Sequence, residues 1–176
     1  MSKQSTLEKM LESFSKNEAL RASTEALKPR LETEINTALA TGEALDEGIA
    51  VSLQTKRAQI ELCSNKLTQI ASRTEELIAA IQVEFNSRFQ AFDSELQALE
   101  AATKKKVLDV LGPLVIDQLF LEELTSRMIW GRTKLAVELA GLRDAIQFQV
   151  VQQNIILAAR ELLKRERDLE LIKARP

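Results

Sequence analysis

Few side chains in this sequence could carry chemistry. They include one thiol (Cys63), adjacent carboxylates such as Glu75-Glu76 and Glu122-Glu123, and a run of three lysines (Lys104, Lys105 and Lys106). There is no histidine, which removes the commonest general base and the commonest metal ligand. Ser–His and Cys–His nucleophiles go with it. So do di-iron sites of the ferritin type, which need Glu-x-x-His on two helices. The paired acids are sequence neighbours, so on a helix they point about 100° apart and read as solvated charge rather than as a working dyad. No two glycines lie close enough to form a phosphate-binding loop. The expectation is a protein that is not an enzyme, with no catalytic residue, no cofactor and no metal.

Cys63 falls on an apolar stripe, where a cysteine behaves as a small buried hydrophobe. Lys66, three residues on, could lower the thiol pKa, but burial argues for an inert group. A lone cysteine cannot form an intrachain disulfide, which suits a reducing, cytoplasmic setting. The opening Met-Ser-Lys-Gln-Ser-Thr has no apolar signal core.

The three lysines precede Val107–Leu121, in which ten of fifteen residues are large and apolar. That stretch is too short and too interrupted by charge to span a bilayer. It reads either as a solvated charge run beside a core turn or as a tip whose apolar surface is rimmed by cations. In the second case Lys104, Lys105, Lys106, Leu111, Leu114, Val115 and Phe120 form a candidate partner-binding tip, able to meet a protein or an anionic membrane surface.

These groups stand on long helices. Residues 49–111 hold neither glycine nor proline, and apolar positions recur there at alternating steps of three and four. Ile60, Cys63, Leu67, Ile70, Leu77, Ile81, Phe85, Phe92 and Leu96 define a candidate packing seam, a spacing that puts side chains on one stripe of a helix and is unusable by a strand. Around 77–92 the stripe broadens to include Ile78 and Val83, which predicts more than one neighbour, and Asn86-Ser87 is a candidate break. Before this helix, Ser5-Thr6-Leu7-Glu8 reads as a capping box. Leu20, Leu27, Leu31, Ile35 and Leu39 read as the apolar stripe of helix one, Pro29 as a kink, the polar stretch 15–24 as a possible bend, and Thr41-Gly42 as the stop. Gly112-Pro113 ends the long helix. A third helix is expected over 113–130, Trp130-Gly131 as a joint, and a fourth helix over 133–174. In that last segment Ile146–Val150 alternates like a strand but lies within helix-forming flanks, and Gly141 reads as a point of close backbone approach.

The expected fold is therefore all-α: an elongated antiparallel bundle, or coiled-coil-like helical hairpin, with an additional N-terminal helix. It would be a single helical domain, 1–176, with helices near 5–40, 43–111, 113–130 and 133–174. In periodicity alone the chain resembles coiled-coil scaffolds and helical-hairpin adaptors, a likeness that transfers no functional residue. Net charge is −2 with a mild gradient: residues 1–50 carry 6 basic and 9 acidic side chains, and 101–176 carry 13 and 10. That is far from the basic footprint of a nucleic-acid binder. The functional expectation is a scaffold or adaptor that self-associates, most simply as a two-fold dimer, and binds unidentified protein partners through helix faces. The alternatives are a membrane-surface or envelope-associated protein using the Lys104–Leu121 tip and a small-ligand pocket between helices.

Overall fold

The computed structural model describes residues 5–41, 47–111 and 134–174. The fold is all-α. Among the described residues there are four helices and no strand: α1 (Thr6–Ala40), α2 (Glu47–Leu111), α3 (Lys134–Val151) and α4 (Ile155–Lys173). The helix expected over 113–130 and the Trp130-Gly131 joint lie outside the described residues. Contacts within the chain group it into two compact units, Met1–Ala80 and Ile81–Pro176.

α1 begins as its sequence dictates. The Ser5 hydroxyl accepts from the Glu8 amide at 3.3 Å while the Glu8 carboxylate accepts from the Ser5 amide at 2.9 Å. Two of the four N–H groups left over at a helix start are thereby satisfied. Neither the polar stretch 15–24 nor Pro29 interrupts the helix, which runs unbroken to a cap at Thr41. Pro29 is exposed, so the carbonyl freed by its missing N–H can be met by water. The stripe is not the one expected. Leu20, Leu27 and Leu39 are 39%, 44% and 46% exposed, whereas Leu7, Leu11, Thr24, Leu31 and Ile35 are buried. From Thr24 onward the buried face steps 24, 28, 31, 35, 38 with Lys28 and Ala38 half-buried. The seam thus follows the period and admits polar residues. Thr24 is tolerated because its hydroxyl donates to the Leu20 carbonyl at 2.8 Å.

In the first unit the matching face of α2 carries buried Leu53, Cys63 and Ile70, with Ile60, Leu67, Thr74 and Leu77 half-buried. The seam therefore starts a turn and more before Ile60. Lys56 occupies the intervening seam position and reaches Glu34 of α1 at 3.1 Å. A link from near the end of α1 to near the start of α2 marks the two as antiparallel neighbours.

Among the described residues the second unit brings together three helices. Arg88 pairs with Glu166 and Glu95 with Lys173, so numbering rises together along α2 and α4, which run parallel. Three residues, Gln152, Gln153 and Asn154, separate α3 from α4. A cleft lined by Val137 and Gly141 on one side and Arg165, Asp168 and Leu171 on the other shows the two helices folded back on each other. α3 is therefore antiparallel to both its neighbours, and Arg143 ties it to Asp93 of α2 at 2.7 Å. The core is Ile81, Phe85, Phe92 and Leu96 of α2, Leu139, Leu142 and Ile146 of α3, and Ala158, Ala159, Leu162 and Leu169 of α4. Phe85 and Phe89 stack at 5.6 Å.

This corrects the expectation of one helix over 133–174. The turn needs no glycine or proline. Gln153 adopts a left-handed φ of 54°, and the Asn154 side chain caps α4 by accepting from the Leu157 amide at 3.1 Å. Asn154 was the legible signal. Gln153→Gly should stabilise the protein by about 0.5–1 kcal/mol, because glycine takes positive φ without the Cβ clash. Comparison of urea midpoints measures it, and a lower midpoint would contradict the strained turn. The candidate break at Asn86-Ser87 is not made, and the long helix expected over 43–111 is continuous over Glu47–Leu111, where Asn86 accepts from Gln82 one turn earlier at 3.0 Å.

Candidate interaction faces

Heptad spacing places the seam residues, and the structure buries most of them. Cys63, Ile70, Ile81, Phe85, Phe92 and Leu96 are at most 7% exposed, while Ile60, Leu67 and Leu77 are half-buried. Val83, expected within the broadened stripe, is 72% exposed. Two neighbours do contact α2 in this region, but through Arg88 and Asp93 rather than Val83. The Cys63 thiol is buried, as a seam position implies.

The proposed tip is only partly within the described residues. Lys104 lies 2.7 Å from Glu100, one turn back on α2, and Lys105 and Lys106 are exposed. Leu114, Val115 and Phe120, like the Glu122-Glu123 pair, are outside the described residues, and the surroundings of the Leu111 side chain are not described either.

Charge on the second unit is sorted by depth. Arg88 donates to both oxygens of Glu166, from Nε at 3.0 Å and from Nη2 at 2.6 Å. That bidentate geometry is the strong form of a guanidinium–carboxylate contact. Both side chains are 27% exposed. Arg165 holds Glu161 at 2.6 Å and Asp168 at 3.0 Å along α4. Lys173 lies 2.9 Å from both Glu95 and Glu170, and these hydrogen bonds, Glu95 foremost, push its ammonium above the usual lysine range.

In the first unit, the hydrogen bond from Lys56 and then its charge hold the Glu34 carboxyl below the usual carboxylate range, with a smaller pull from Arg30. A depressed carboxyl stabilises the fold above its unfolded pKa of about 4.3 and loses that contribution as pH falls through the lower folded value. The stability gap between the protein and Glu34→Gln should therefore be constant above about pH 5 and close as the solution is acidified below that. Urea midpoints taken from neutral to acid pH read the gap, and a gap that widens in acid would reverse the assignment.

The outward faces hold what sequence reasoning missed. On α3, Val137, Gly141, Asp144, Phe148 and Val151 recur at steps of 4, 3, 4 and 3, and all five are exposed, Val137 at 62%, Phe148 at 61% and Val151 at 76%. This is a second seam with the same period as the buried one. A Cβ added at Gly141 would meet nothing within 4 Å, so among the described residues no neighbouring backbone explains that glycine. The clefts beside it are shallow surface features; one of about 520 Å³ is lined by Leu96, Glu100, Ala136, Val137, Ala140 and Gly141 among others. Among the described residues no group of three His, Cys, Asp or Glu could hold a metal ion, and no helix is long and apolar enough to cross a membrane.

The fold thus defines an all-α protein whose distinctive surfaces are helix faces. No protein family, curated protein or solved structure matches the chain.

Proposed function

We propose that this chain is a non-enzymatic helical scaffold or adaptor that self-associates and binds protein partners through helix faces. The observation that carries the reading is the outer stripe of α3. Three large apolar side chains stand exposed at heptad spacing, and residues 145–159 carry no charged side chain in a sequence that is 28% charged. A central glycine in an exposed helix costs roughly 0.5–1 kcal/mol relative to alanine, and a partner helix approaching closely would offset that cost. Helix-in-groove and helix-on-helix recognition use such i, i+4, i+7 anchors. The buried single thiol suits a reducing, cytoplasmic compartment.

The test is the mass of the chain in solution. The unaltered protein should run as a dimer by light scattering, and F148D/V151D should be folded and monomeric, because aspartates on this stripe would have to be buried unpaired. A wild-type monomer at high concentration would remove self-association through this face. The runner-up reading, a membrane-surface protein using the Lys104–Leu121 tip, is favoured by the exposed Lys105 and Lys106 alone.

A further inference from the structure

The turn between α3 and α4 is short and strained. Among the described residues Gln153 is the one non-glycine residue with a positive φ, 54°, a conformation that costs any residue carrying a Cβ. Nothing in the sequence requires the helix to stop there. Residues 142–175 hold neither glycine nor proline, and glutamine is a good helix former. Gln152, Gln153 and Asn154 could equally join α3 to α4 as one helix over Lys134–Lys173, about 60 Å long. Straightening would release the strained φ. What holds α4 folded back is its packing: Glu166 on Arg88, Lys173 on Glu95, and buried Ala158, Ala159, Leu162 and Leu169. None of these contacts depends on α4 belonging to the same chain.

We infer that the partner of this chain is a second copy with which it exchanges α4. In each copy α3 and α4 straighten into one helix, and each α4 packs on α2 and α3 of the other copy. The inference rests on the self-association proposed above and states how that association is made. Exchange keeps every contact of α4 and relieves the turn, which is why short, strained connections favour it. It also creates one new contact, where the two straightened helices cross antiparallel at a two-fold axis beside the former turn. The sequence suits that contact. The charge-free stretch 145–159 is centred on Gln152, so a two-fold axis there lays it against itself. The stretch includes Phe148, Val150, Val151 and Leu157, exposed at 61%, 44%, 76% and 44%, which the crossing would cover.

The test uses the Arg88–Glu166 contact in two full-length variants, R88E and E166R. Each alone sets like charges against each other, both within one chain and within an exchanged homodimer. Refolded together from urea in equal amounts, the two variants pair an acid with a base at both contacts only if they exchange α4. A dimer of chains laid side by side cannot do this. The mixture should give a one-to-one heterodimer by mass, with a urea midpoint restored to that of the wild type. If the single variants do not fold alone, the rescue is read as helical circular dichroism gained on refolding together. Q153G should reduce the share of dimer about tenfold, because glycine removes the strain from the folded-back form and disfavours the continuous helix. Exchange is overturned if the mixture unfolds as two separate variants, or if Q153G dimerises undiminished. A wild-type dimer whose variants show no mutual rescue would remove exchange and leave self-association standing. A wild-type monomer at high concentration would remove both.

Discussion

Phe92→Ala should lower the stability of the second unit by about 3–5 kcal/mol, the usual cost of removing a buried aromatic ring and leaving a cavity. Phe92 is 3% exposed on the seam of α2, the helix that both α3 and α4 pack against, beside Leu96 at 1%. Against a total stability of about 5–15 kcal/mol for a small domain, the loss is a large fraction. In urea, with a slope of about 2 kcal/mol per molar, the midpoint should fall by about 2 M. Val83→Ala, ten residues or so earlier on the same helix, is the control: at 72% exposed it should move the midpoint little. If Phe92→Ala and Val83→Ala behaved alike, the face of α2 assigned to the core would be wrong.

Arg88→Ala should be the most damaging change among the ion pairs. Most surface pairs contribute little, because exposed charges gain small Coulomb energy and lose side-chain freedom. Arg88–Glu166 differs on three counts: two hydrogen bonds rather than one, both side chains three-quarters buried, and a sequence separation of 78 residues that makes it a tertiary link. Removing the guanidinium leaves the mostly buried Glu166 without its partner, at a cost of about 2 kcal/mol. A double-mutant cycle of Arg88→Ala with Glu166→Ala should return a coupling energy of about 1–2 kcal/mol. The same cycle on Arg21–Glu25, an i, i+4 pair half-exposed on α1, should return none above error. Equal couplings would mean that tertiary placement adds nothing to this contact.

The contrast shows where sequence reading succeeds. The i, i+4 pairs Arg21–Glu25, Arg30–Glu34 and Glu161–Arg165 follow from helical periodicity alone. Glu166 pairs across to Arg88 of α2. Nothing local could reveal that, because the pairing depends on α4 running parallel to α2. The α2 seam was legible for the same reason as the i, i+4 pairs, since a period of three and four over a glycine-free stretch has one geometric meaning. The α1 stripe was misread because leucines were preferred over register. Leu20, Leu27 and Leu39 are more apolar than Thr24 and Lys28, yet the heptad frame shared with Leu31 and Ile35 selects the latter positions for the interface.

The sequence by itself determined that the chain is helical, where α1 starts, that α2 is long, and which stripe of α2 is apolar. Each of these is a local property, set by capping chemistry, propensity and spacing. Only the tertiary structure decided that the segment after Lys134 doubles back at Gln153, that Glu166 pairs with Arg88 of α2, and that Val137, Phe148 and Val151 remain exposed. Those outcomes depend on which helix faces meet. A face is apolar or charged in the sequence, but it becomes core or surface only when a neighbouring helix removes it from water.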